Sequence, residues 1–537
     1  MKNKILSVLL MFCIIFSCTC VKFSVLASTS DYDELAINKG YVCRIGDAEA
    51  AYAEGNFSGY CETFYMALDR VQANNTITFI QDVDLSPTDK VEKISLSGKG
   101  NITICGAEGK NITITRNGNF AVESQTVTFK NINIVLDVEK TSFGSVSGSG
   151  KIIYENCSFT TDKKVSYGYF ILSGGTVNFT DCVFNITPSE AGSDNSCLFY
   201  GQKGTAAVNM VRTHIDISDV ASSYYGANLT AGGSVNMIDS SLKTANTAIK
   251  ISGSSTAIVE ISGVSCVNSA SSAAIDLSDV SGTAGRVAVS DRSQVSSVGV
   301  GINIGQASVS VNISDNAKIL SNVPLSINDS NTSATVVVKG NATVGESDEI
   351  IAPKLEYGAS VRTVEKSNGI RFTSTVDTAK ISAAEEYGIL IVKYDELLSS
   401  GVDFTLEAMT GKLTFGKIAA ETVTQGEDGV TTYNLAMTGL PTDQLCTNFA
   451  VRGYAIYKIG GARVTVYSQF DEEANVRSMK GVAEAAIADV KTAEEIAANS
   501  ELAAYKYEVQ TGKYSRYSKA QYETILKIYA NTMEEGI

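Results

Sequence analysis

Phe179-Thr-Asp181-Cys-Val-Phe184 decides the fold, because its pattern returns along the chain. It consists of an apolar residue, any residue, Asn or Asp, two further positions, then another apolar residue. Earlier copies are Phe129-Lys-Asn131-Ile-Asn-Ile134 and Tyr154-Glu-Asn156-Cys-Ser-Phe159. Later ones are Met210-Val-Arg212-Thr-His-Ile215, Met237-Ile-Asp239-Ser-Ser-Leu242 and Ile261-Ser-Gly263-Val-Ser-Cys266. Looser copies are Val289-Ser-Asp291 with Val295, and Ile313-Ser-Asp315 with Ile319. Successive copies lie 24 to 31 residues apart, and each follows a short alternating stretch such as Gly175-Thr-Val-Asn-Phe179.

A repeat of this length fits one coil of a solenoid, two or three strands with their turns. Successive coils then stack at ~4.8 Å, the spacing of parallel strands. The recurring Asn or Asp marks a bend that needs a left-handed backbone, which these residues and glycine tolerate best. Beyond the bend, alternate side chains point inward, placing Ile132 and Ile134, Cys157 and Phe159, and Thr213 and Ile215 in one interior column. The expected fold is mainly β: a right-handed parallel β-helix over residues 40–350, with about ten coils between Leu96 and Val344. A β-sandwich also uses many short strands, but it does not require the same turn residue at a coil-length period.

Coil ends expose unpaired strand edges and need covering. Glu62 to Asn74 reads as an N-terminal capping helix, with Phe64, Leu68 and Val71 on one face. Residues 1–27 read as a signal peptide. Lys2 and Lys4 precede the apolar run from Ile5 to Phe16, and Val25-Leu26-Ala27 is the exit. Lipid attachment at Cys18 is the alternative, although Phe16 suits that motif poorly. No later segment is apolar enough to span a membrane, and no sorting motif closes the sequence. These readings imply a secreted product, either released or held at the cell surface without a covalent link.

After Pro353 glycine and serine thin out. Longer alternating segments appear, such as Gly369 to Val376 and Tyr387 to Val392. Residues 355–475 read as a β-rich, sandwich-like domain, with a hairpin of Phe449 to Tyr457 and Arg463 to Ser468 around Gly460-Gly461. Residues 476–537 read as a helical C-terminal segment. Val476, Met479, Val482, Ala486 and Val490 recur at helical spacing, and Thr492 with Glu495 and Ser518 with Gln521 fit capping boxes. Tyr505, Tyr507, Tyr514, Tyr517 and Tyr522 suit packing between helix and sheet, or stacking on sugar rings.

The net charge of −15 argues against nucleic acid and anionic membrane surfaces as partners. Of the eleven cysteines, Cys13, Cys18 and Cys20 fall in the signal peptide, and the others form no CxxC pair. Cys43 and Cys61 are the candidate disulfide of an oxidising compartment. Cys157 and Cys182 are equivalent positions on neighbouring coils. Their parallel Cβ vectors favour a buried thiol ladder, with a bridge as the alternative.

The capping helix, the strand Asn75 to Ile80, the stretch Asn101-Ile-Thr-Ile-Cys-Gly106 and the Asn/Asp-bend coils resemble the pectate-lyase-like β-helix superfamily. More narrowly, residues 40 to 345 are similar to the pectate-lyase-like adhesive domain of bacterial surface proteins. The C-terminal region resembles a β-rich module appended to secreted proteins of Gram-positive gut bacteria. The superfamily resemblance brings lyases and glycosidases into question. Hydrolysis on such a scaffold uses paired acids, and inverting enzymes hold them ~6.5–9.5 Å apart. The coils contain no Asp-Asp pair. The one histidine, His214, lies between inward Thr213 and Ile215 and so faces outward. Lyases of this shape need an acidic calcium cluster and an arginine base. Here the coil arginines are Arg212, Arg286 and Arg292, and a structural turn column accounts for Asn131, Asn156, Asp181, Asp239, Asp291 and Asp315. No catalytic, metal-binding or cofactor-binding residue is assigned. The expected function is a secreted or surface-associated adhesive protein that recognises an extracellular glycan or surface protein through a β-helix face. The alternative is a polysaccharide lyase or glycoside hydrolase acting on acidic polysaccharide.

Overall fold

The computed structural model describes residues 29–488 and 519–534, apart from 53–55, 86–92, 117–118, 138, 140, 189, 191–195, 221–223, 282–284, 346–352, 356–358, 364–366, 378–383, 421–423 and 427–428. The expected signal peptide, the capping residues Thr492, Glu495 and Ser518, and Tyr505, Tyr507, Tyr514 and Tyr517 lie outside the described residues. So does the side chain of Tyr522. The fold is mainly β and winds into parallel β-solenoid turns, about ten in all. Two compact units are distinguished: Met1–Lys163 with Val177–Ile186, and Lys164–Thr176 with Thr187–Ile537.

In the first unit each coil carries three short parallel strands. Those before the bend align Ile102 with Val127 and Val127 with Ile152, and likewise Ile104 with Phe129 and Phe129 with Tyr154. Those after it align Ile114 with Ile134, Ile134 with Phe159, and Phe159 with Phe184. A third set pairs Ile94 with Phe120, and Val122 with Val146. All of these inward residues are buried. Aromatic rings fill this interior, with centroids 4.8 Å apart for Phe120–Phe129, 5.1 Å for Phe129–Tyr154 and 4.8 Å for Phe159–Phe184. Such contacts contribute about 0.5–1.5 kcal/mol per pair beyond area burial.

The start of this unit is closed by local structure. Thr63 caps the helix Phe64–Arg70 by accepting the Met66 N–H at 3.1 Å, and Phe64 packs 5.1 Å from the Phe79 ring. Strand Cys43–Ile45 runs antiparallel to Thr76–Phe79 and covers its edge. Arg44 is buried but paired: its Nε meets Asp33 Oδ1 at 3.0 Å, and Tyr60 donates to the same oxygen at 2.8 Å. That ties the helix Thr29–Ile37 to the cap.

In the second unit the interior is aliphatic. Before the bend Val208, Val235, Val259, Val287, Val311 and Val336 follow one another in register, all buried. After it come Ile215, Leu242, Val267, Val295, Ile319 and Val344. Burying each such side chain is worth about 1.5–3 kcal/mol relative to exposure. Strands buried within coils still alternate in burial, as in Ala257–Ser262, because their outer face meets water.

The C-terminal strands continue the same unit. Strand Ala462–Tyr467 pairs in parallel with Thr335–Val338, aligning Val464 with Val336. It also forms the expected hairpin with Phe449–Ile459, and Gly460 adopts the positive φ of 58° the turn requires. Glu386–Lys393 and Phe415–Ala419 extend this antiparallel sheet. A second antiparallel sheet, centred on Gly369–Asp377 and Val430–Thr438, shares a core with the first. Ile370, Phe372 and Leu435 from one meet Ile389, Ile391 and Val451 from the other, and Met479, Val482, Ile525 and Ile528 of the helices join them. The opposite face of the first sheet is covered too, by Leu397, Phe404 and Met409. Phe449–Tyr457 is therefore buried throughout and reads as a continuous run rather than alternating. Val476 stands outside the expected helix. It belongs to a two-residue strand on Phe449–Ala450, and the helix spans Met479–Ala488.

Two measurements follow. Replacing Asn156 by valine places a β-branched residue at φ 51° and should lower stability by about 1–2 kcal/mol, read as a lower urea midpoint. Asn156→Gly should cost less. Glu386 gives a pH test. Burial alone would raise its pKa, but Lys417 at 2.5 Å and Tyr454 at 2.8 Å, with the Arg463 charge, hold it below the ordinary 4.5. Its contribution is complete above that value and is lost as pH falls through the depressed one. Acid denaturation scans of Glu386→Gln should thus show a shallower loss of stability below pH 4.5 than the parent.

Candidate binding surfaces

The bend residues occupy the left-handed region one after another. In the first unit Asn131, Asn156 and Asp181 have φ of 54°, 51° and 54°. In the second, Arg212, Asp239, Gly263, Asp291, Asp315 and Gly340 lie between 46° and 72°. Their side chains also join neighbouring coils. Asn156 Nδ2 donates to Asn131 Oδ1 at 2.8 Å. Asp239 accepts the Val264 N–H at 2.9 Å, Asp291 the Gly263 N–H at 2.7 Å, and Asp315 the Asp291 N–H at 3.2 Å. Gly263 has no room for a side chain, since a Cβ there would lie 2.1 Å from Asp239 Oδ1. Gly340 continues the series, and the stretch Val338-Lys-Gly340-Asn-Ala-Thr-Val344 carries the signal in weakened form.

Just past the bend lies a buried ladder of small polar side chains. In the first unit these are Cys157 and Cys182. Their thiols meet the Phe129 and Tyr154 carbonyls, one coil back, at 3.5 and 3.4 Å. Burial pushes the Cys157 thiol up to about 12 and the Cys182 thiol up to about 11. In the second unit hydroxyls fill the role, with Ser240 Oγ accepting the Thr213 N–H and Ser265 Oγ the Ser240 N–H, each at 3.1 Å. These thiols therefore act as weak polar bridges between coils.

Outside this ladder the coils present polar side chains in register. In the first unit a groove of about 440 Å³ runs beside Asn131, Asn156 and Asp181, bounded by the loop around Glu108 and Lys110. Its floor includes Asn133 and Ser158, which hydrogen-bond to each other. In the second unit His214 is exposed, as its flanking inward residues require, and its Nδ1 lies 3.1 Å from Ser241 Oγ. Asn236 donates to Asn209 at 2.6 Å, and Asn268 to Ser296 at 2.9 Å. A third face carries the aromatic pair Tyr167 and Tyr200, stacked at 5.6 Å with Tyr167 56% exposed. Farther along the same face, beyond the buried Asn228, the half-buried Lys250, Asp276 and Asn303 follow in register. Spacing between these residues does not mark the face in the sequence, because coil lengths vary around it.

Four acids on the faces of the second unit are engaged. Asp276 accepts from Asn303 at 3.1 Å and lies 3.8 Å from Lys250, which also meets Asp279 at 2.9 Å. Burial alone would lower Lys250, but Asp279 and Asp276 hold it above the ordinary lysine range. Glu260 pairs with Arg286, and Asp216 with Lys243 at 3.5 Å. Among the described residues no three His, Cys, Asp or Glu side chains gather as ligands for a metal ion. No helix among them is long and apolar enough to cross a membrane.

Cys43 and Cys61 face each other across an antiparallel strand pair. The bridge considered for them is not formed in this structure, where both are free thiols. Cys43 Sγ instead points to the carbonyls of Cys61 at 4.0 Å and Thr63 at 3.8 Å, while Arg70 donates to Cys61 Sγ at 3.4 Å. A hydrogen bond from Cys43 and the Arg70 charge lower the Cys61 thiol, and the same contact with burial raises Cys43.

A scan against protein-family models finds no match to this chain, and neither do searches of the curated proteins and of the solved structures.

The strand register predicts that the Cys43 and Cys61 thiols can be joined within one molecule. Incubation with oxidised glutathione should remove two titratable thiols and raise the melting temperature. Cys43→Ser should prevent both changes, and an oxidised product found only as a dimer would contradict this placement.

Proposed function

We propose that this chain is a secreted or surface-associated adhesive protein, without catalytic activity, that holds an extracellular glycan or a surface protein on a face of its solenoid. The likeness to pectate-lyase-like adhesive domains belongs to this reading. One observation carries it: the outward side chains recur coil after coil as amides, hydroxyls and paired charges, already ordered by their neighbours. A partner with a repeating backbone can match such an array at low entropic cost, because the donors and acceptors are held before it arrives. The stacked Tyr167 and Tyr200 add an apolar surface with polar edges, a chemistry that suits both sugar rings and peptide. The engagement of Asp216, Glu260 and Asp276 by cations or amides supports binding over acid-base catalysis, which requires a carboxyl available for proton transfer.

The test is a glycan and surface-protein binding array probed with the purified protein, alongside Tyr167→Ala/Tyr200→Ala. Binding to at least one component is expected, weakened about tenfold or more in the double variant if that face is used. Incubation with acidic polysaccharides, with and without calcium, should yield no new reducing or unsaturated ends. Appearance of such ends would replace this reading with the lyase or hydrolase one, and an array without any binding would remove its basis.

A further inference from the structure

Strand Phe449–Ile459 carries two cations, exposed Lys458 and, among apolar neighbours, buried Arg452. Arg452 is 5% exposed, and a guanidinium keeps its proton at any accessible pH. Holding such a charge out of water is costly unless it is fully paired. The pairing here is partial. Nε donates to the Ser468 carbonyl at 2.8 Å and Nη1 to the Phe404 carbonyl at 2.8 Å, while the Tyr467 ring centroid lies 5.2 Å away. Among the described residues no carboxylate reaches ion-pair distance of Arg452. Asp403, whose charge acts on it, is bonded to Lys339. Nη2 has no protein partner among the described residues.

Arg452 lines a cavity of about 630 Å³, within the size range of small-ligand sites. One wall is formed by the last bends of the solenoid, with Asn316 and Asn341 exposed. The other is the helix Tyr394–Ser400 and the ring of Phe470, itself 5.2 Å from Phe404. Of the remaining charges, Lys339 and Asp403 neutralise each other, while Asp315 keeps its negative charge and accepts from Ser314 at 2.8 Å and from the Asp291 N–H on the solenoid wall. What the cavity offers is one cation with a donor to spare, an aromatic wall and amides at the rim.

We propose that this cavity binds a sugar bearing an oxyanion, a carboxylate or a sulfate, with Arg452 as the anchor for the anion. The apolar face of the ring lies against Phe470, and the hydroxyls meet Asn316 and Asn341. Nη2, the guanidinium nitrogen left without a protein partner among the described residues, donates to an oxygen of either anion in a charge-assisted hydrogen bond. The site shares the last bends with the solenoid but uses none of the residues of the faces described above, and it stands whether or not those faces bind a partner.

The test is titration calorimetry of the full-length protein with glucuronate, glucose 6-sulfate and glucose. At least one anionic sugar should bind, at least tenfold more tightly than glucose, and the pair identifies which anion is preferred. Arg452→Lys should weaken that binding at least tenfold. Because changing a buried arginine can impair folding, Asn341→Glu provides the second arm. It places a carboxylate at an exposed rim position and should weaken the anionic sugar at least tenfold with an unchanged melting temperature. Equal affinity for glucose, no binding of either anionic sugar, or full binding by a folded Asn341→Glu protein would each overturn the assignment.

Discussion

A single backbone requirement organises the solenoid: one residue per coil must adopt a left-handed conformation so that a strand can turn sharply into the next. For most L-residues that conformation costs about 1–2 kcal/mol, and Asn, Asp and Gly reduce the cost by local bonding or by lacking a Cβ. Asn131, Asn156 and Asp181 meet the requirement in the first unit, and Asp239, Gly263, Asp291, Asp315 and Gly340 in the second. Arg212 is the exception, a long side chain at φ 46°. Once the bend is fixed, the pleat dictates which side chains face inward. The valine and isoleucine ladders then follow as packing consequences.

The same geometry governs the polar groups. Stacking identical positions at one spacing brings like residues together, which suits amides and hydroxyls because each can both donate and accept. Carboxylates stacked the same way would repel. The fold answers with cations between them, as Lys243 beside Asp216 and Arg286 beside Glu260, or with backbone N–H donors, as at Asp239. Cysteine fits the ladder as a small, weakly polar donor, and Cys157 and Cys182 take positions that serine and threonine take in the second unit.

The coils were legible in the sequence because their signal is both chemical and periodic. A bend residue returning every 24 to 31 positions leaves little freedom in how the strands stack. The C-terminal region was less so. Phe449 to Tyr457 is buried on both faces, so it lacks the alternation that reports orientation, and its neighbour Ala462–Tyr467 pairs with a strand more than a hundred residues earlier. The surfaces were legible only as a class of residues. The sequence points to a β-helix face, but Tyr167 meets Tyr200 and Lys250 meets Asp276 through coils of unequal length. Arg452 is not legible in the sequence, because nothing near it shows that its partners are the Ser468 and Phe404 carbonyls.

Strand Thr335–Val338 carries a feature that reaches beyond packing. A solenoid's final coil is a template, offering unsatisfied N–H and C=O groups to any extended chain. Here the chain's own Ala462–Tyr467 occupies that template in parallel register and is itself paired on its other side by Phe449–Ile459. Addition of a further extended chain is thereby blocked at this strand, which has no free edge left to offer.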